Sequence, residues 1–253
     1  DTGSSRFEVR LADVEELNRS ARKRELDITK VSISAVLHIL DDYMLLRAGG
    51  AMGRGCGPLV VAREPTGMEK LSDSSVAIPG RTTTAFQLFQ LYGGHRGQLV
   101  EMPFDQIMPA VASGKVDAGL IIHEGRFTYP AMGLNLVLDL GEWWERKTGW
   151  PLPLGGIVMK RSLGADAAKK MEEQIRQSIE YAETHEDEAW PYIRSLAQEM
   201  EPVVIRQHIE TFVNDFSRNL GREGEEAVSY LLQASAKQQG VSLQNQPIFP
   251  DWP

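Results

Sequence analysis

A near-continuous apolar run that ends on a histidine constrains the fold more than any other feature of this sequence. Residues 116–122 read V-D-A-G-L-I-I, and His123 follows directly. Such a run is typical of a strand buried on both faces of a parallel α/β sheet. Ligands of open α/β sheets bind beyond the carboxyl ends of the strands, so the sequence predicts that His123 lies at a ligand cleft. The alternative is a hydrogen-bonded core histidine without a chemical role.

Strand and helix patterns alternate on both sides of this run, which predicts an α/β fold. Strand patterns fall at residues 6–11, 28–33, 59–62, 75–78 and 134–140. A capping-box pattern at Asp13 and Glu16 predicts a helix that runs to about Glu25, and helical patterns fill the chain from Ala165 onward.

Two segments are predicted to cross between lobes. Residues 64–74 are polar and contain proline and glycine, and the apolar segment 151–159 leads to Lys160 and Arg161. We therefore predict a discontinuous larger lobe of residues 1–63 and 160–253, and a smaller lobe of residues 64–159.

Composition and charge favour a small-molecule ligand. The 253 residues carry a formal net charge of -8, and this disfavours nucleic acid and an anionic membrane surface as partners, because both need a basic face. The single cysteine, Cys56, excludes an internal disulfide framework and a multi-cysteine metal site. No apolar run approaches the roughly 18 residues of a membrane span, and no charged-then-apolar export signal opens the sequence. We therefore expect a cytoplasmic protein.

Two segments could bind a polar ligand. The strand at 75–78, the turn Pro79-Gly80 and the R-T-T-T start of the next helix suggest an anion site built from unpaired N–H groups, the helix dipole and threonine hydroxyls. Simple N-capping by one threonine is the alternative. Lys30 and Ser32 lie near the end of a predicted strand, where a cation and a hydroxyl could contact a ligand. A solvated lysine and a helix-capping serine are the alternative here.

Several other motifs favour structural roles. The glycine-rich residues 49–58 lack both the G-K-[ST] ending of a phosphate loop and the context of a dinucleotide-binding loop, so they predict tight turns. Cys56 is expected to be a packed residue, and the pair Trp143-Trp144 suits an aromatic ligand or packing between domains equally well. The remaining histidines have no metal-ligand spacing, and we expect no zinc site.

Five segments together resemble a known family. The organisation is similar to that of the two-lobed periplasmic binding proteins of the second type, with an α/β lobe on each side of a ligand cleft. The segments resemble the 1,4-dihydroxy-6-naphthoate synthases of the futalosine route to menaquinone, over about Val9 to Asn245. They are T-K-V-S at 29–32, G-R-G-C-G-P-L-V-V-A-R at 53–63, P-G-R-T-T-T-A at 79–85, G-L-I-I-H-E-G-R-F-T-Y-P at 119–130 and D-L-G-E-W-W-E at 139–145.

The resemblance implies a reaction and a set of site residues. It implies a lyase that converts cyclic dehypoxanthine futalosine, a carboxylated and hydroxylated compound, into the naphthoate without a cofactor or metal. His123 matches the proton acceptor of the family. The segments Lys30-Val31-Ser32 and Thr84-Ala85 match its ligand-contacting stretches, whereas Arg81, Thr83 and Arg126 are further candidates on charge and position only.

Two other functions stay open from the sequence. One is chorismate dehydratase, an enzyme of the same pathway that also acts on a small carboxylate, although the segment H-E-G-R-F-T-Y-P argues against it. The other is a non-catalytic solute-binding protein that closes on its ligand. Members of the synthase family also carry a strand, a polar turn and a helix ahead of the segment that begins here at Arg6, and this sequence has only Asp1-Thr2 of that part.

Overall fold

The computed structural model describes residues 7–197, 201–243 and 246–251 of the chain. Its strands form two separate sheets, each covered by helices. The strands are β1 (Ile28–Ser32), β2 (Tyr43–Leu45), β3 (Ala51–Gly53), β4 (Leu59–Ala62), β5 (Val76–Ile78), β6 (Leu99–Glu101), β7 (Ala118–Ile121), β8 (Asn135–Asp139) and β9 (Leu152–Lys160).

The first sheet is built around the long strand β9. Strands β1, β2 and β3 all pair with β9 in the antiparallel direction, and Lys30 lies opposite Ile157 in this register. Its core includes Val31, Leu45 and Val158, all of them fully buried. Strand β1 is therefore an edge strand of this sheet, and the predicted Lys30-Val31-Ser32 segment forms its last three residues.

The second sheet has the strand order β6-β5-β7-β4-β8. Strand β7 is buried along its whole length, as the apolar run predicted, and it is parallel to β5. On its other side β7 pairs with β4 in the antiparallel direction, and β4 is also antiparallel to β8. The sheet is therefore mixed rather than purely parallel, and the carboxyl end of β7 leads directly to His123.

The helices lie on both sheets and between them. They are α1 (Val14–Arg22), α2 (Ile33–Val36), α3 (Thr84–Tyr92), α4 (Phe104–Ala112), α5 (Gly125–Thr128), α6 (Leu140–Thr148), α7 (Ala165–Thr184), α8 (Glu186–Leu196), α9 (Pro202–Phe212), α10 (Asp215–Arg218) and α11 (Gly221–Gln239). Helix α11 buries Ala227, Val228, Leu231 and Leu232 in the main core.

Helix α1 begins where the sequence predicted but differs in its cap and its end. The Asp13 carboxylate accepts a hydrogen bond from the Glu15 amide at 2.8 Å. Glu16, the expected partner in a capping box, pairs with Arg10 instead. The helix ends at Arg22 rather than near Glu25, Lys23 is its C-cap residue, and Arg24 takes a positive φ of 62°.

The strand predicted at residues 6–11 is not formed by residues 7–11, and Arg6 lies outside the described residues. Phe7, Val9 and Leu11 alternate with polar residues in the sequence, but their side chains are 46%, 72% and 70% exposed. A strand requires hydrogen-bonding partners as well as alternation. Within the described part of the chain, no strand pairs with this segment.

The sheet memberships of β4 and β9 differ from the predicted lobes. The prediction placed residues 59–63 in the first lobe and 152–159 in the second, whereas β4 pairs with β7 and β8, and β9 pairs with β1 and β2. Apolar composition does not reveal the partners of a strand, which is why both strands were placed on the wrong side. We therefore propose that the chain crosses between the lobes at residues 54–58 and 149–151, where Arg54 donates to the Gly149 carbonyl at 3.1 Å.

A close contact between two glycines lies beside the first crossing. A Cβ atom on Gly57 would lie 2.3 Å from Cα of Gly141 at the start of α6. Arg126 holds the same region, since it donates to the Gly57 carbonyl at 2.8 Å and to the Asp139 carboxylate at 2.7 Å. The crossing is therefore packed against the second sheet with little room for change.

Candidate active site

A cavity between the two sheets brings together the residues that the sequence singled out. It contains about 660 Å³ of space that no atom fills, its mouth included. The residues predicted to contact the ligand all line it, and they are Lys30, Val31, Ser32, Thr84, Ala85 and His123. They come from β1, from the start of α3 and from the end of β7, so the tertiary structure joins three distant parts of the chain. Their chemical roles stay predictions.

His123 lies at the junction of this cavity with two grooves that open to its sides. The residue is half-buried, and its ring packs edge-on against Phe104 at 5.0 Å between centroids. Its backbone takes a left-handed φ of 55°, which is uncommon for a residue other than glycine and is found often at functional sites. His123 is therefore not sealed in the core, the alternative that the sequence left open.

The environment of His123 favours a neutral imidazole. Burial lowers its pKa from 6.5 to about 3, and the nearby Lys30 and His208 add to the effect. Among the described residues, no protein group hydrogen-bonds the ring, so its nitrogens are available to a ligand. A neutral imidazole can accept a proton, and a bound anion would raise its pKa towards the neutral range.

The low pKa of His123 predicts acid sensitivity of the unliganded protein. Because the pKa is lower in the folded chain than in the unfolded chain, protons bind preferentially to the unfolded chain between pH 6.5 and about 3. The stabilisation is complete above pH 6.5 and is lost as the pH falls through that window. We expect the urea midpoint of the wild type to fall more between pH 7.5 and pH 5 than that of His123→Asn. Equal falls would contradict a lowered pKa.

Lys30 supplies a cation to the cleft without a carboxylate beside it. Its side chain keeps a solvent-exposed surface through the open cleft, yet protein atoms surround the ammonium closely enough for desolvation to lower its pKa. Within the described residues, no aspartate or glutamate forms an ion pair with it. A cation held in this way favours an anionic ligand, since the ligand would supply the missing negative charge.

Ser32 is held in place by a residue that the sequence analysis missed. Asn18 of α1 is buried, donates to the Ser32 hydroxyl at 3.1 Å and accepts from the Ser32 amide at 2.8 Å. Its position on the buried face of a predicted helix was the available signal. Asn18 therefore acts as a positioning residue for the end of β1.

The start of α3 forms part of the predicted anion site, but the threonine hydroxyls have other partners. Thr82 donates to Glu15 at 2.6 Å, Thr83 donates to the Gly80 carbonyl at 2.9 Å and caps the helix, and Thr84 donates to the Leu154 carbonyl at 2.7 Å. Thr84 and Ala85 hold the first two positions of the helix, whose N–H groups have no partner within the helix. The amides rather than the hydroxyls are thus suited to an anion.

The remaining candidates have structural roles. Arg81 lies over Phe86 and pairs with Glu101, while Arg126 bonds to Gly57 and Asp139. Trp144 is buried against the Pro151 carbonyl and Tyr230, so it packs beside the second crossing, and it does not line the cavity. Burial raises the pKa of Cys56 to about 12, which is unsuited to a nucleophile, as expected.

His208 is the site residue that the sequence analysis did not find. Its spacing in the sequence predicts no metal-ligand role, but α9 brings its ring to 6.2 Å from that of His123, between centroids, on the wall of the same cavity. The available signal was the spacing of Val204, His208 and Phe212, four residues apart on one face of a helix. Sequence spacing alone does not reveal which surface that face contacts.

Two kinds of feature are absent from the residues that the structure describes. No group of three or more histidine, cysteine, aspartate or glutamate side chains is arranged to hold a metal ion there. No helix in those ranges has the length and apolar character needed to cross a bilayer.

Comparisons with known proteins match this chain over most of its length. A family model described as menaquinone biosynthesis matches residues 2–237. A curated protein of Thermus thermophilus, named 1,4-dihydroxy-6-naphtoate synthase, is 49% identical over 241 residues, which cover 94% of this chain and 87% of that protein. A second curated protein of the same name, from Streptomyces coelicolor, is 46% identical over 92% of this chain and 84% of its own length.

Solved structures support the predicted two-lobed fold. Protein AF1704 from Archaeoglobus fulgidus aligns with a TM-score of 0.84 at 36% identity, over 90% of this chain and 85% of that one. The alkanesulfonate-binding protein SsuA from Xanthomonas axonopodis aligns with a TM-score of 0.63 at 13% identity, over 90% of this chain and 81% of that one. The second similarity shows the fold alone, and the predicted periplasmic-binding-protein type of fold is confirmed.

Proposed function

This chain belongs to the menaquinone biosynthesis family, and we propose that it is a lyase that converts cyclic dehypoxanthine futalosine into 1,4-dihydroxy-6-naphthoate. The observation that carries the proposal is His123, a half-buried imidazole with no hydrogen-bonding protein partner among the described residues, on the wall of the inter-sheet cavity. Two relatives of this chain, from Thermus thermophilus and Streptomyces coelicolor, are 49% and 46% identical to it and carry the synthase name.

His123 is the general base of the proposed reaction. The ring is neutral at physiological pH, because burial and the charge of Lys30 lower its pKa. It takes the proton of a substrate hydroxyl, and the O–H electron pair becomes the π bond of a carbonyl. The adjacent carbon–carbon bond breaks, and its electron pair goes to the carbon of the departing fragment. Positioned proton transfer of this kind accelerates a reaction by roughly a hundred- to ten-thousand-fold.

Lys30 and the start of α3 hold the substrate carboxylate. Lys30 provides the charge, and the amides of Thr84 and Ala85 provide donors at the positive end of α3. The bound carboxylate also reduces the repulsion between Lys30 and the histidines. This raises the pKa of His123 when substrate is bound, so that the base becomes stronger at the moment it is needed.

Product identification tests the proposed function. The full-length protein is incubated with cyclic dehypoxanthine futalosine and, separately, with chorismate, and the products are identified by liquid chromatography and mass spectrometry. We expect the first compound to yield 1,4-dihydroxy-6-naphthoate and chorismate to be recovered unchanged. Dehydration of chorismate would instead support chorismate dehydratase, and tight binding of either compound without conversion would support a solute-binding protein. Catalase, a protein of unrelated fold, serves as the blank.

A further inference from the structure

A row of four aromatic rings crosses the mouth of the cleft. Phe104 at the start of α4 packs against His123 at 5.0 Å between centroids, His123 lies 6.2 Å from His208, and His208 lies 4.6 Å from Phe212. Phe104 and His123 belong to the second sheet's side, whereas α9, which carries the other two rings, packs against β3 of the first sheet. The two imidazoles therefore face each other across the gap.

The His208 ring has no hydrogen-bonding protein partner within the described ranges, and the ring of His123 is in the same situation. Buried and half-buried histidines with purely structural roles are normally hydrogen-bonded. Two adjacent imidazoles with open nitrogens that line the same cavity are instead arranged for a ligand.

The charged groups around His208 come from three elements. Lys30 of β1 and His123 after β7 line the inner cavity with it, and Glu124 lines the outer groove with it. Two neighbouring imidazoles next to a lysine do not readily carry protons at the same time. Burial and Lys30 lower the pKa of His208 to about 4, less far than the pKa of His123, so the first proton binds to His208.

We propose that His208 is the second proton-transferring residue of this cleft and donates a proton to the fragment that leaves, while His123 removes one from the substrate. The inference rests on the proposed lyase function. A nitrogen of His123 takes the hydroxyl proton, and the O–H electron pair becomes the π bond of a new carbonyl. The carbon–carbon bond breaks, and its electron pair takes the proton of His208, which is protonated in the complex because the bound carboxylate offsets the charge of Lys30. One proton leaves the substrate and one arrives, and solvent then exchanges the protons of the two rings.

A titration of the unliganded protein tests the histidine pair without any substrate. The ring protons of both histidines are followed by NMR between pH 3 and pH 9 in the wild type, His123→Asn and His208→Gln. We expect His208→Gln to raise the pKa of His123 by roughly one unit, the size of the repulsion between charges about 6 Å apart in a partly solvated site. His123→Asn should leave the pKa of His208 nearly unchanged, because His123 is still neutral when His208 titrates. An unchanged pKa of His123 in His208→Gln would overturn the inference.

Kinetics test the proton donor itself. We expect His208→Gln to lower kcat by roughly a hundredfold, to change KM little and to remove the alkaline limb of the kcat profile, where His208 loses its proton. Added imidazole should restore turnover to His208→Ala. Gln207→Ala, an exposed neighbour on α9, is the matched control and should behave as the wild type.

The two experiments fail in different ways. A His208→Gln variant with the kcat and pH profile of the wild type would overturn the role of His208 while leaving the proposed function intact. A wild-type protein that does not convert the substrate would overturn the proposed function, and the NMR titration would still decide whether the two histidines interact.

Discussion

Substitution of His123 by asparagine is expected to abolish the conversion of cyclic dehypoxanthine futalosine, with kcat lowered by roughly a hundred- to ten-thousand-fold. Asparagine cannot act as a general base, whereas it tolerates the left-handed φ of 55° at this position better than most residues. The loss of turnover should therefore come without a loss of the fold. Steady-state kinetics and a thermal melt of the same preparation measure the two effects.

His123→Ala separates the base from the backbone. Alanine also removes the imidazole, but unlike asparagine it has no polar group to offset the cost of the left-handed region, about 1 kcal/mol, which histidine also bears. We expect the two variants to share the loss of kcat, and the asparagine variant to melt at a higher temperature than the alanine variant. Full turnover by His123→Asn would remove His123 from the mechanism.

Substitution of Lys30 by methionine is expected to raise KM by roughly tenfold to a hundredfold, the range of a hydrogen bond to a charged group. Methionine keeps the length and the apolar stem of lysine but has no charge to pair with a substrate carboxylate. Because Lys30 lowers the pKa of His123 and of His208, its removal should also move the acid limb of kcat/KM to higher pH. The measurement is a series of kcat/KM values between pH 4.5 and pH 8.

Lys115→Met is the matched control for this experiment. Lys115 is exposed in the turn that follows α4 and does not line the cavity, so the substitution removes the same charge without touching the cleft. We expect wild-type KM and an unshifted acid limb. An unchanged KM in Lys30→Met, measured beside this control, would mean that the substrate carboxylate binds elsewhere.

Features that depend on neighbouring residues could be predicted from the sequence, whereas contacts between residues far apart in the chain could not. The buried strand before His123 could be predicted, because seven consecutive residues, all but Asp117 apolar, contain the whole signal. The helix that begins at Thr84 could be predicted for the same reason. By contrast, the partners of Thr82, Thr83 and Thr84 include Glu15 and Leu154, which are 67 and 70 residues away from their threonines. The sequence indicated a polar helix start but not that its hydroxyls were already bonded.

The sequence by itself determined the α/β class, the family, and the placement of His123 after a buried strand, since these depend on periodicity and on contiguous motifs. Only the tertiary structure decided that β4 and β9 belong to opposite sheets, and that His208 faces His123 although 85 positions separate them. The physical reason is that hydrophobic burial fixes which face of an element points inward, whereas the pairing of elements fixes what that face contacts.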